Sequence, residues 1–254
     1  MGKIIAVVNQ KGGVGKTTTC VNTAAALTQA GKKVLLCDFD PQGNSTSGFG
    51  VDKNTSPNMY EVIIGQTQAQ RAVIHTKYGD VLPSNKALSG AEIELISEER
   101  REYKLKDALE PLREAYDFIL IDSPPTLTLL TLQCLCAADS ALIPVQCEYY
   151  ALEGLSDLMY TVRKVRRALN TNLEIEGLLL TMYDARLNLS LQVAEEVKRH
   201  FPDKLYQTVI PRNVRLSEAP SHGMPVQYYD KFSRGADCYN TLSAEIIKRN
   251  QVIA

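Results

Sequence analysis

"KIIAVVNQKGGVGKTTTC", residues 3–20, carries an apolar run into a glycine-rich turn and then into a run of threonines. The apolar run reads as a buried strand. Thr17–Ala30, rich in Ala, Thr and Leu and followed by Gly31, reads as a helix with a glycine C-cap. A glycine loop between a strand and a helix is the context that makes a phosphate-binding loop believable. The glycines let backbone N–H groups turn inward around phosphate oxygens, and the helix start points its positive dipole end at the same place. The candidate phosphate-binding set is therefore Lys11, Gly12, Gly13, Val14, Gly15, Lys16, Thr17 and Thr18. Lys16 is expected to reach the β- and γ-phosphates of ATP, and Thr17 to hold Mg²⁺ through its hydroxyl.

Such a loop needs one lysine, and this one has a second, Lys11. Two ammonium groups have little room on one triphosphate from one side. Lys11 is either a surface lysine on a turn or a cation that reaches the nucleotide of a facing subunit. In the second case it acts as an arginine finger does, neutralising charge that develops in the transition state.

Outward from this unit, apolar runs recur as "KKVLLCD", "DVLPS", "DFILIDS", "SALIPVQ", "EIEGLLLTMY" and "QTVIP". Helical patterns lie between most of them, at Tyr103–Tyr116, Thr128–Ala138, Leu152–Leu169 and Leu191–Phe201. Gly235–Arg249 closes the chain. Fully apolar strands alternating with helices predict an α/β P-loop NTPase fold, a mostly parallel sheet with helices on both faces. With no repeat or long linker, residues 1–254 are expected to form a single ATPase domain.

Composition narrows the classes. Hydrophobic residues are 44% and charged residues 22%, a globular balance. Six cysteines lie mostly in apolar surroundings, and Cys134 and Cys136 lack the spacing of a zinc ribbon or a redox pair. Net charge is −1, so a polyanion site must be a local patch. Residues 1–150 hold 14 basic and 17 acidic residues, whereas residues 151–254 hold 14 and 12, which favours the second half.

Three aspartates stand at strand ends. Asp38 and Asp40 follow "VLLC", and ligand sites in doubly wound sheets lie at that carboxyl edge. Asp40 is a candidate to orient an attacking water, with Asp38 supporting the metal shell. Asp122, ending "FILID", has the setting of a Walker B carboxylate that binds Mg²⁺ through a water. Met182, Pro211 and Asn213 follow later strands and are candidates for adenine contact. Glu148, at another strand end, is a candidate to touch the nucleotide or a facing subunit.

"KGGVGKT" is the deviant Walker A motif, and the chain resembles the ParA/Soj chromosome-partitioning ATPases. "DFDPQGNSTSGFG", "DSPPTLTLLT", "PVQCEYYALEGL", "LLTMYDAR" and "VIPRNVRLSEAPSHGMPV" carry the resemblance in the family's order. It implies catalytic roles for Lys11, Lys16 and Asp40, with Lys11 acting across an ATP-dependent homodimer; Glu148 is the further candidate for that interface. It implies switch roles for the segments after Asp38 and Asp122, and non-specific double-stranded DNA binding through Arg186 and Arg215. A ParB-type DNA-binding protein would be the partner that stimulates hydrolysis, on the nucleoid in the cytoplasm. Regulation of replication initiation or sporulation is a second role that Soj-like members suggest. Lys198, Arg199 and the run Arg163–Arg167 are further basic sites. No helix-turn-helix precedes the loop, so operator binding is not expected.

MinD-like ATPases, which dock on membranes through an amphipathic tail, are the alternative. The tail "CYNTLSAEIIKRNQVIA" lacks a strong basic-aromatic face, so no stable membrane association is expected. Nitrogenase-like iron proteins need bridging cysteines that this chain does not supply. Dethiobiotin synthetases would not carry "NVRLSEAPSHG".

Overall fold

The computed structural model describes residues 1–148 and 151–251. The stretch "PVQCEYYALEGL" is thus described on either side of residues 149 and 150. The tail is described as far as Gln251, and its last three residues lie outside the described set. In chain order the elements are β1 (Lys3–Val7), α1 (Lys16–Gln29), β2 (Val34–Asp38), α2 (Asn44–Gly48), α3 (Met59–Ile63), α4 (Ala69–Ala72), β3 (Ile74–Thr76) and β4 (Gly79–Leu82). They continue as α5 (Leu88–Glu94), α6 (Lys104–Leu109), β5 (Phe118–Asp122), α7 (Leu129–Ala137), β6 (Ser140–Gln146) and α8 (Ala151–Ala168). The chain then adds β7 (Glu174–Tyr183), α9 (Asn188–His200), β8 (Ile210–Pro211), α10 (Val214–Glu218), α11 (Val226–Tyr229) and α12 (Arg234–Gln251).

The strands form one sheet in the order β3-β4-β2-β5-β1-β6-β7-β8. All pairs are parallel except β3 with β4. Successive strand residues point to opposite faces, and both faces of this sheet are covered. Ile5, Val7, Leu36 and Leu120 pack with Leu27 of α1 and Tyr239, Leu242 and Ile246 of α12. Their alternates Ile4, Ala6, Leu35 and Ile119 pack with Leu105, Leu135, Leu158 and Val193 from α6 to α9. The doubly covered parallel sheet of the sequence reading is the observed architecture, and it places the carboxyl ends of β1, β2, β5, β6 and β7 along one edge.

Local departures have local causes. Tyr103–Tyr116 is not one helix. Pro111 has no amide hydrogen to donate, so α6 stops at Leu109 and a 3-10 turn takes over at Glu110–Leu112. The "QTVIP" run supplies only a two-residue strand, β8. β3 is too short and too polar to carry an apolar signal, and it pairs with β4 through a tight turn at Gly79, whose φ is 127°. α9 starts at Asn188, three residues before the expected Leu191.

Candidate functional site

β1 delivers the glycine loop to the middle of the carboxyl edge. Asn9 pins its entry: Nδ2 donates to the Pro144 carbonyl at 2.7 Å, and Oδ1 accepts the Lys11 N–H at 3.0 Å. Gly13 and Gly15 have φ of 77° and 90°, the left-handed region where a side chain is strained. Thr181 on β7 holds the crown of the loop by donating to the Val14 carbonyl at 2.9 Å. Thr17 and Thr18 follow in the first turn of α1.

The two lysines differ in setting. Lys16 is buried, and its ammonium donates to the Lys11 carbonyl at 3.1 Å. Burial lowers its pKa, while the charges of Asp122 and Asp40 pull the other way. Lys11 stands at the surface and forms an ion pair with Glu148 of the same chain. These residues are 137 apart in sequence, and the structure brings them together without a second subunit.

β2 and β5 lie side by side with Asp38 directly opposite Asp122. Asp38 accepts from the Thr46 N–H and hydroxyl, both at 2.7 Å, and from the Asp40 N–H at 3.2 Å. Asp122 accepts from the Ser45 hydroxyl at 2.7 Å. Both carboxyls are fully buried, and burial raises both pKa values. The Asp122 charge raises Asp38 further, against the lowering effect of the Thr46 and Asp40 hydrogen bonds. For Asp122, hydrogen bonding from Ser45 and Thr17 lowers, the Asp40 charge raises, and the Lys16 charge lowers. Yet Oδ1 of Asp122 is buried with no completed hydrogen bond. Buried carboxylates that repel each other, one with an orphaned oxygen, suit a divalent cation and its waters. The residues present therefore fit Mg²⁺. Asp40 is buried beside them, with Oδ1 accepting the Gln42 N–H at 2.9 Å.

Ser45 and Thr46 were missed by sequence reasoning. The run "NSTSG" beyond Asp40 offered hydroxyls, but nothing in it says that α2 turns them back onto two different strands.

On the other side of the loop a cavity of about 470 Å³ opens between α1, β7, β8 and α10. Met182, Pro211 and Asn213 all line it, beside Thr181, Arg212 and Tyr239. Met182 sits at an irregularity in the β7–β8 pairing with φ of 51°, a strained setting for a side chain. Asn213 also caps α10, its Oδ1 accepting the Arg215 N–H at 2.9 Å. Thr181, Arg212 and Tyr239 went unforeseen; Tyr239 comes from α12, far away in sequence.

The candidate DNA cations are exposed and already paired. Arg186 grips Asp184 through two bonds of 2.9 and 2.7 Å, which hold the Asp184 carboxyl down at about 2. Arg215 pairs with Glu218 at 2.8 Å and Asp230 at 3.2 Å. Arg163, Lys164, Arg166 and Arg167 project from α8, and Lys198 and Arg199 from the end of α9. Cys134 and Cys136 are buried in the core. Among the described residues no helix is long and apolar enough to cross a membrane.

A protein-family profile described as an AAA domain matches residues 2–175. The chain is 57% identical to the sporulation initiation inhibitor protein Soj of Bacillus subtilis (strain 168), over 97% of this chain and 98% of that one. It is 49% identical to the chromosome partitioning protein ParA of Myxococcus xanthus, over 98% and 89% of the two. Among solved structures, cobyrinic acid a,c-diamide synthase of Mycobacterium smegmatis with bound ADP and magnesium superposes with a TM-score of 0.86. The two are 36% identical over 99% of this chain and 96% of that one.

Proposed function

The chain belongs to the ParA/Soj family of chromosome-partitioning ATPases, and from that premise we propose that it hydrolyses ATP in a dimer that holds DNA without sequence preference. The observation that carries this reading is the edge-to-edge placement of the glycine loop, the buried Asp38–Asp122 pair and the Lys11–Glu148 pair.

Backbone N–H groups of Gly12, Gly13 and Gly15 cradle the phosphates of ATP, with Val14 held in place by Thr181. Lys16 exchanges its bond to the Lys11 carbonyl for the β- and γ-phosphates. The base occupies the cavity beside Met182, Pro211 and Asn213. Thr17, Asp38 and Asp122 would hold Mg²⁺, which supplies charge neutralisation at the phosphates. Asp40 orients the attacking water, its other oxygen fixed on the Gln42 N–H.

Lys11 completes the site. Its ammonium is paired with Glu148 and is not committed to its own loop, which supports a role across the dimer. Facing a second chain, it is free to trade a carboxylate for that chain's γ-phosphate. One domain spanning residues 1–254 does all of this, with a ParB-type protein as the stimulating partner. On α12, Tyr239, Leu242 and Ile246 are spent on the core, which leaves its apolar face unavailable to lipid and favours partition over membrane positioning.

Phosphate release per subunit, followed against protein concentration with ATP and Mg²⁺, tests this. The rate should climb with concentration, because the site is incomplete in one chain. Lys11→Ala should bind ATP within about threefold of wild type and lose the climb. A rate per subunit that is flat with concentration and unchanged by Lys11→Ala would refute the shared site.

A further inference from the structure

Between α11 and α12 a short connecting segment, residues 230–233, lines no part of the nucleotide cavity. Within it Phe232 is 88% exposed. A lone exposed apolar side chain is ordinary. Phe232 is set apart by its company. Its N–H donates to Oδ1 of Asp230 at 3.2 Å, while Oδ2 of the same carboxylate forms an ion pair with Nε of Arg215 at 3.2 Å. The Lys231 ammonium stands 4.9 Å from the centre of the Phe232 ring. Arg234, also exposed, opens α12.

The segment is anchored underneath. The Ser233 hydroxyl donates to the Asp230 carbonyl at 2.8 Å and accepts the Ala236 N–H at 3.2 Å. Ser233 itself is buried. The loop is therefore fixed on both sides of Phe232, with the exposed ring beside Lys231 and two residues from Asp230, the ion-pair partner of Arg215.

The geometry points to Phe232 as an apolar wedge that enters the minor groove of double-stranded DNA while Arg215 and Lys231 hold the flanking phosphates. This rests on the DNA-binding reading above and adds to it a contact that is not electrostatic. Apolar side chains flanked by cations act in this way at minor-groove interfaces, where they press between base steps. The charged side chains of Asp230, Lys231 and Arg234 within two residues of the ring favour a polyanion over a lipid surface, although Tyr228 and Val214 are also exposed.

Binding isotherms over a salt series, in ATP and Mg²⁺, separate the two kinds of contact. Phe232→Ala should weaken DNA binding about tenfold at every salt concentration and leave the slope of log K against log salt unchanged, because a ring releases no counterion. Lys231→Ala should flatten the slope instead. The sequence contains no tryptophan, so Phe232→Trp installs a single reporter. Its fluorescence should become shielded from acrylamide when DNA and ATP are both present. The inference is overturned if Phe232→Ala binds DNA as wild type does. It is equally overturned if Trp at this position stays open to acrylamide on DNA, or is shielded by phosphatidylglycerol vesicles and not by DNA. Wild-type protein that fails to bind any duplex in ATP would instead remove the DNA-binding reading itself.

Discussion

Lys16 and Arg215 are both cations that the sequence marks out, and the structure holds them in opposite ways. Lys16 is buried beside two carboxylates at the end of a glycine loop, where an ammonium has almost no freedom of position. Arg215 is half-exposed, shared between Glu218 and Asp230, and close to a mobile counterion atmosphere. A buried cation is defined by its surroundings, so its role follows from one chain. An exposed cation is defined by what arrives, so its role depends on a partner and on salt. The same contrast separates the buried Asp38–Asp122 pair from the surface Lys11–Glu148 pair.

Substitution at the buried end should have the largest effect. Lys16→Ala is expected to lower ATP affinity by roughly 100-fold or more, since the main cation on the β- and γ-phosphates is gone. Titration with a fluorescent ATP analogue measures this. Affinity within twofold of wild type would erase the distinction at its strongest point.

Next comes the carboxylate pair, where pH sharpens the contrast. Burial raises Asp122 from 3.8 to about 6. Between those values the folded protein binds more protons than the unfolded chain, so stability falls as pH rises through this window and the full penalty persists above it. Asp122→Asn removes the charge. The nucleotide-free variant should melt about 5 °C above wild type at neutral pH, with the gap closing toward pH 4. Melting curves without Mg²⁺ or nucleotide decide it. A variant that melts below wild type at pH 7 to 8 would show that the pair is not under repulsion.

The exposed end should give the smallest and most salt-sensitive effect. If Arg215 lies on the proposed DNA face, Arg215→Ala should remove one phosphate contact per subunit and two per dimer. The slope of log K against log salt should flatten by roughly 2 on two unrelated duplexes alike. An unchanged slope would move the DNA face elsewhere, to Arg186 or to the Arg163–Arg167 run on α8.

Legibility followed the same division. The strand–loop–helix unit at residues 3–20 could be read directly, because glycine at positive φ and an apolar strand leave local signatures. Asp38 and Asp122 were visible singly, yet their adjacency requires β2 to lie beside β5, a fact of sheet order that no local pattern encodes. Ser45 and Thr46 were hidden for a related reason, since their partners are fixed by how α2 folds back. Met182, Pro211 and Asn213 share a cavity because β7 and β8 end at one edge, which the strand pattern did reveal. Pro111 was in plain view and outweighed the helical pattern around it. The Glu148 partner of Lys11 and the Asp230 partner of Arg215 are surface pairings, set by side-chain reach and not by periodicity.

Nucleotide at the buried site should govern what the exposed face can hold. Asp40→Ala tests it most directly, because it should retain ATP and Mg²⁺ while hydrolysing slowly. Size-exclusion chromatography with light scattering, run in ATP and in ADP with and without a short duplex, reports mass and DNA together. A monomer free of DNA is expected in ADP and a dimer carrying DNA in ATP. A variant that stays monomeric in ATP, or that carries DNA equally in both nucleotides, would contradict it.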